Sequence, residues 1–117
     1  MKKYSLITFL FFLILVCSNV VTAEENDVLD PETWPVTVEN TVNDILSSMS
    51  EESKKVVKGT PKDDLIKFHH GWGMCIRNYY GLWRGNEKLI KSACGKPCHP
   101  DDASMIMIEA VWDHLQK

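Results

Sequence analysis

Between Phe68 and Asn86 the chain reads Phe-His-His-Gly-Trp-Gly-Met-Cys-Ile-Arg-Asn-Tyr-Tyr-Gly-Leu-Trp-Arg-Gly-Asn. Both arginines of the chain lie in this stretch, with two histidines, two tryptophans, a cysteine and four of the six glycines. A second polar group follows at Cys94-Gly-Lys-Pro-Cys98-His99-Pro-Asp101-Asp102-Ala-Ser104. Four kinds of chemistry are open to these residues. Soft ligands from Cys94, Cys98 and His99, with His69, His70 or Cys75, would suit zinc or copper. Structural zinc sites show paired ligand spacings, however, and one loosely spaced pair is too little, so no metal is expected. Haem attachment needs Cys-x-x-Cys-His, and here a third residue separates the cysteines. No cofactor is expected.

Nucleophilic catalysis would pair Cys75 with His69, His70 or His99, but no orienting group or oxyanion hole is legible around it. At the edge of an apolar stripe, Cys75 reads as a small core residue. A hydrolase built on His69 or His99 with Asp101 is a further alternative. Asp101 and Asp102 are already explained as acids in a first helical turn, where the helix dipole favours them.

Binding is the better reading. Arg77 and Asn78 lie beside the stripe, and Trp83, Arg84 and Asn86 occupy a turn bracketed by Gly81 and Gly85. Guanidinium and amide groups beside aromatic faces suit carboxylates, peptide termini or sugars. The structural counter-reading is that Arg77 pairs with Asp101 or Asp102 while Asn86 caps a helix.

These residues need elements to position them. Residues 1–23 read as a secretory signal: a basic Met1-Lys2-Lys3, an apolar run from Leu6 to Cys17 interrupted by Thr8, and a small residue at Ala23. The run is shorter than the roughly 20 residues a membrane span needs, so no stable membrane anchor is expected. Bulky Val16 before Cys17 argues against lipidation. The expected location is periplasmic or extracellular.

Cleavage after Ala23 would leave one small domain and change the formal charge from −3 to −5, which argues against nucleic acid as a partner. Residues 24–52 carry nine acidic side chains and no Lys or Arg, whereas residues 53–117 carry eleven basic and seven acidic ones. Residues 24–35 read as an acidic, flexible leader able to dock through Trp34, and residues 36–117 as a helical domain.

Within that domain, Val38, Val42, Ile45, Leu46 and Met49 recur at helical spacing behind Thr37, a credible N-cap. Ser50 caps a second helix, Glu51 to Lys58, with acids first and lysines last. Thr60-Pro61-Lys62-Asp63 restarts the chain, and Leu65, Phe68, Trp72, Ile76, Tyr79 and Trp83 extend a stripe that implies one helix from Pro61 to Tyr80. That helix would run through Gly71 and Gly73, each costing about 1 kcal/mol against alanine. The usual return for such glycines is a kink or a close approach. Asn86 caps a helix from Glu87 to Cys94, which Gly95 ends. His99-Pro100-Asp101-Asp102 opens the last helix, with Met105, Ile108, Trp112 and Leu115 as its apolar face and Ile106 and Val111 beside them. No strand is legible. The expected fold is all-α, a small single domain of four or five short helices, with the Pro61–Tyr80 helix central and the last helix packed along it.

Three cysteines follow the signal, Cys75, Cys94 and Cys98, in a compartment that permits disulfides. The short connector favours Cys94–Cys98, and an antiparallel hairpin turning near Arg84 would instead bring Cys75 to Cys94.

The block Phe68-His69-x-Gly71-x-Gly73-x-x-Ile76-Arg77-Asn78-x-x-Gly81-Leu82-Trp83-x-Gly85-Asn86, followed by His99-Pro100-Asp101-Asp102-Ala103-Ser104 and the Ile108 to Leu115 helix, resembles a family of small bacterial proteins. That family, numbered 6794 among the domains of unknown function, is matched over about residues 35 to 116. It brings no activity, ligand or catalytic residue. The resemblance implies that His69, Arg77, Asn78, Trp83, Asn86, His99, Asp101, Asp102 and Ser104 act as one constellation, with the cysteines a local addition. The function expected is a non-enzymatic module that binds a protein partner through that constellation and Arg84. The alternative is a binder of small polar or cell-envelope ligands.

Overall fold

The computed structural model describes residues 29–117. Residues 1–28, which include the expected signal, Cys17 and the start of the expected leader, lie outside the described residues. Among those described, helices are the only regular elements: a 3-10 turn at Pro31–Thr33, then α1 (Val38–Ser48), α2 (Glu51–Lys58), a 3-10 segment (Lys62–Phe68), α3 (Trp72–Tyr79), α4 (Glu87–Cys94) and α5 (Pro100–Gln116). The chain is an all-α domain, as its periodicity implies. No helix among the described residues is long and apolar enough to cross a membrane.

Local chemistry sets the helix boundaries. Thr37 Oγ1 accepts from the Asn40 backbone N–H at 3.1 Å, and Ser50 Oγ accepts from that of Ser53 at the same distance. Asn86 Oδ1 does the same for Leu89 at 3.3 Å. Each cap satisfies a donor that the first helical turn leaves without a partner. Gly95 closes α4 at φ +76, a left-handed conformation that glycine adopts without a Cβ clash.

The long helix expected from Pro61 to Tyr80 is broken. Its first half is the 3-10 segment and its second half is α3, with Gly71 at φ −88, ψ −81 between them. In a 3-10 turn residues three apart fall on one side, so Leu65 and Phe68 both point inward. The Phe68 and Trp72 rings then meet edge to face across the break, with centroids 5.7 Å apart. Beyond it the stripe drifts, for Tyr80 is buried and Trp83 is not.

The central element is α5. It packs against α1, α2, α3, α4 and the 3-10 segment, while the principal contact elsewhere joins α1 to α4. Ala103, Ser104, Met107, Ile108 and Val111 are its buried positions. Of the apolar face expected from sequence, Ile108 is fully buried and Met105, Trp112 and Leu115 are half-buried against the core. A helix enclosed by neighbours buries more than one stripe, and therefore reads less clearly as amphipathic.

Candidate functional site

Arg77 is the residue around which the predicted constellation assembles. From α3 its side chain passes under the start of α5 and is only 4% exposed. Nη1 donates to Ser104 Oγ at 2.8 Å and Nη2 donates to the His69 carbonyl at 3.2 Å. Nε lies 3.4 Å from Asp101 Oδ1. Ser104, itself buried, returns its hydroxyl proton to the Asp101 carbonyl at 2.9 Å. The planar guanidinium thus ties α3, the break before it and the first turn of α5 into one clamp, a task that suits arginine's fixed fork of donors. Gly73 makes room for it, since a Cβ there would sit 3.0 Å from Arg77 Nη1 and 3.4 Å from the Phe68 carbonyl.

Two imidazoles approach the same carboxylate. His69 Nε2 lies 3.9 Å and His99 Nδ1 3.6 Å from Asp101 Oδ2. His99 is also the N-cap of α5, its Nδ1 accepting from the Asp101 backbone N–H at 3.0 Å. Pro100 has no N–H to offer, so this donor is the first that the helix must satisfy. The His99 ring stands edge to face with Trp83, centroids 5.3 Å apart. Both are open to solvent, Trp83 at 53% and the His99 side chain at 56%.

Arg84 and Asn86 belong to a different corner. Asn86, 3% exposed, donates from Nδ2 to the Tyr80 carbonyl at 2.8 Å and to the Pro35 carbonyl at 3.1 Å while capping α4. Arg84 donates to the Leu29 carbonyl at 3.2 Å and lies over the Trp34 ring at 5.2 Å. Trp34 Nε1 donates to the same carbonyl at 3.1 Å, and the Leu29 N–H reaches the Tyr79 carbonyl at 3.2 Å. Residues 29–35 therefore form a strap across the turn after α3. The indole of Trp34 fills the space above Gly81 (φ +73), where any Cβ would collide with it.

The structure accordingly brings His69, Arg77, Trp83, His99, Asp101 and Ser104 together. Arg84 and Asn86 serve the strap. Asn78 is half-buried on α3 and Asp102 is exposed in the first turn of α5, and neither side chain joins the clamp. Arg77 and Asn86 are interior residues rather than parts of a surface, so the expected surface reduces to what the clamp carries outward. Sequence reasoning missed Asp44. Tyr80, buried, donates its hydroxyl to Asp44 Oδ2 at 2.6 Å and so joins α3 to α1. Burial, and then that hydrogen bond and the nearby carboxylate charge, push the Tyr80 pKa well above its ordinary value. Nothing in the spacing of Asp44 and Tyr80, far apart in the chain, signals this pair.

The sulfurs of Cys94 and Cys98 lie at disulfide-bonding distance, with Cα atoms 6.3 Å apart, which is the pairing that the connector favours. None of the described cysteines is free. No group of three or more His, Cys, Asp or Glu among the described residues is placed to hold a metal ion. A surface groove of about 460 Å³ runs between α1 and the end of α5, lined by Val38, Val42 and Ala110 with Glu39, Asp113 and His114 among its polar residues.

The model of a domain of unknown function, DUF6794, matches residues 34–115. The chain belongs to that family. The match begins at Trp34, the anchor of the strap, and ends inside α5, so it takes in the strap's anchor, the clamp and the whole helical core. No curated protein and no solved structure matches the chain.

Proposed function

We propose that this member of the DUF6794 family is an exported, non-enzymatic interaction module, and that its contact surface is the ledge formed by Trp83 and His99. One observation carries the reading. A tryptophan more than half exposed stands edge to face with the capping residue of the longest described helix, which is joined to the buried arginine clamp through Asp101. Large exposed aromatics on a rigid support are what protein interfaces use as anchors, because little side-chain entropy is lost when they are covered. Within that clamp Ser104 is buried and bonded on both sides, accepting from Arg77 and donating to the Asp101 carbonyl. That commitment favours a scaffold over a hydrolase. Export rests on the sequence of residues 1–23.

The test is site-specific photo-crosslinking in cells making the full chain, with the crosslinking amino acid at position 83 and, as control, at exposed Glu52 on α2. A discrete adduct from position 83 alone is expected. Equal adducts from both positions, or none from position 83, would reject the ledge.

The shallow groove between α1 and the end of α5 is where one second reading, binding of a small polar ligand, would place its ligand. Cell-envelope fragments should then raise the melting temperature, and Glu39→Trp, at an exposed position of the groove, should abolish the rise.

A further inference from the structure

The capping residue of α5 is an imidazole, and that choice has a chemical consequence. Serine, threonine, asparagine and aspartate cap with an oxygen whose lone pair persists through the mild acid range. Histidine caps through a ring nitrogen that accepts a hydrogen bond only while it carries no proton. Imidazoles take up that proton between about pH 8 and pH 5.

We infer that His99 is a pH-dependent latch on the Trp83 ledge, and this inference rests on the interaction reading above for its purpose. In the neutral ring, Nδ1 accepts from the Asp101 N–H at 3.0 Å, which fixes the plane of the ring against Trp83. Once protonated, Nδ1 is a donor and must leave that N–H. An acceptor stands ready in Asp101 Oδ2, 3.6 Å away, and the new bond would be charge-assisted. The ring therefore trades a backbone partner for a carboxylate on the same residue and turns away from its edge-on contact with the indole.

The surrounding charges set the balance. Asp101 on α5 is the carboxylate that faces the ring. Arg77 on α3, whose Nε lies 3.4 Å from the other oxygen of Asp101, holds the carboxylate in place. His69, preceding α3, competes for Oδ2 from 3.9 Å. The His69 Nδ1 is buried with no hydrogen-bond partner, so that ring has no second acceptor to turn to. Of the two imidazoles on Asp101, His99 has both the vacated acceptor role and the waiting carboxylate.

The experiment follows Trp83 fluorescence in the full chain from pH 8 to pH 5, taken as the difference between the parent and Trp83→Phe. A single sigmoidal change is expected, because a protonated imidazole quenches an adjacent indole and the ring contact shifts. His99→Asn keeps an N-cap but cannot titrate, so it should flatten the curve while the helical circular-dichroism signal is unchanged. A flat parent curve, an undiminished titration in His99→Asn, or its transfer to His69→Asn would each overturn the latch. Crosslinking from position 83 at pH 7.5 and pH 5.5 separates the two readings. Adducts that form equally at both values would defeat the latch and leave the interaction surface standing. Adducts at neither value would defeat the surface, while the fluorescence titration would still decide the latch.

Discussion

At the scale of single residues, two buried polar groups do most of the specifying. Arg77 has three partners on two parts of the chain, the break before α3 and the first turn of α5, so its loss would leave the Ser104 hydroxyl and the His69 carbonyl without their donor. Arg77→Ala should cost about 3 kcal/mol in urea unfolding, near the lower end for breaking a buried ionic network because Asp101 is partly solvated. Arg77→Lys should recover only part of this, since an ammonium cannot serve that fork of acceptors. Tyr80 is the other. Its folded pKa lies above the ordinary 10.0 by burial first and the Asp44 hydrogen bond second, so the fold prefers the neutral phenol. The contribution is therefore complete below about pH 10 and is lost as pH rises beyond it, at up to about 1.4 kcal/mol per pH unit. Tyr79, raised by burial and then by the Asp44 charge, acts in the same direction. Tyr80→Phe should cost about 1 to 2 kcal/mol at pH 7, since exposed Asp44 remains hydrated. It should also make stability fall less steeply between pH 10 and pH 11, measured by the same unfolding at each pH.

At the scale of elements, Gly73 illustrates how a local rule is overruled by packing. Alanine in the first turn of a helix ordinarily gains about 1 kcal/mol over glycine. Here its Cβ would press on the guanidinium of Arg77, so Gly73→Ala should instead lose about 1 kcal/mol net. The sign should reverse when Arg77→Ala is already present, and a double-mutant cycle in urea reads the reversal directly. The same glycine shows what sequence could and could not reveal. Caps and terminators were legible, because Thr37, Ser50, Asn86 and Gly95 act on their own neighbours, and the helices they bound fall where the spacing places them. A close approach at Gly71 or Gly73 was legible as a question, but not its answer, which lies in a side chain from the next turn and in another helix. The single helix from Pro61 to Tyr80 was a misreading for a related reason. A 3-10 segment followed by an α-helix keeps apolar residues three and four apart, so the stripe survives the break that Gly71 makes. At the candidate site, the grouping of His69, Arg77, Trp83, His99, Asp101 and Ser104 could be suspected from residue type. Whether each faces inward or outward could not, because that depends on helix rotation. The contact of Trp83 with His99 and the bond from Tyr80 to Asp44 carried no local signal at all.

At the scale of the whole molecule, the decisive feature is that the principal contacts among the described residues converge on α5, with a smaller one between α1 and α4. A small domain arranged this way has little redundancy. Its total stability is expected near 5–10 kcal/mol for its length, so the loss of one well-packed side chain at the centre takes a large share. Ile108 is fully buried on α5, and one of its terminal methyls would lie 3.7 Å from a Cβ at position 73. Ile108→Ala should cost about 3 to 4 kcal/mol, the transfer of the lost methyl groups plus the cavity they leave. The distribution of the damage is the sharper expectation. If α5 is the common support, native-state hydrogen exchange in Ile108→Ala should accelerate in α1, α2, α3 and α4 by a similar factor, since each element opens only when the central helix is released. Acceleration confined to α3 and the start of α5 would mean that the clamp region opens on its own. In that case the Arg77–Asp101 corner, and the Trp83–His99 ledge above it, would be a locally unfolding unit rather than a rigid platform.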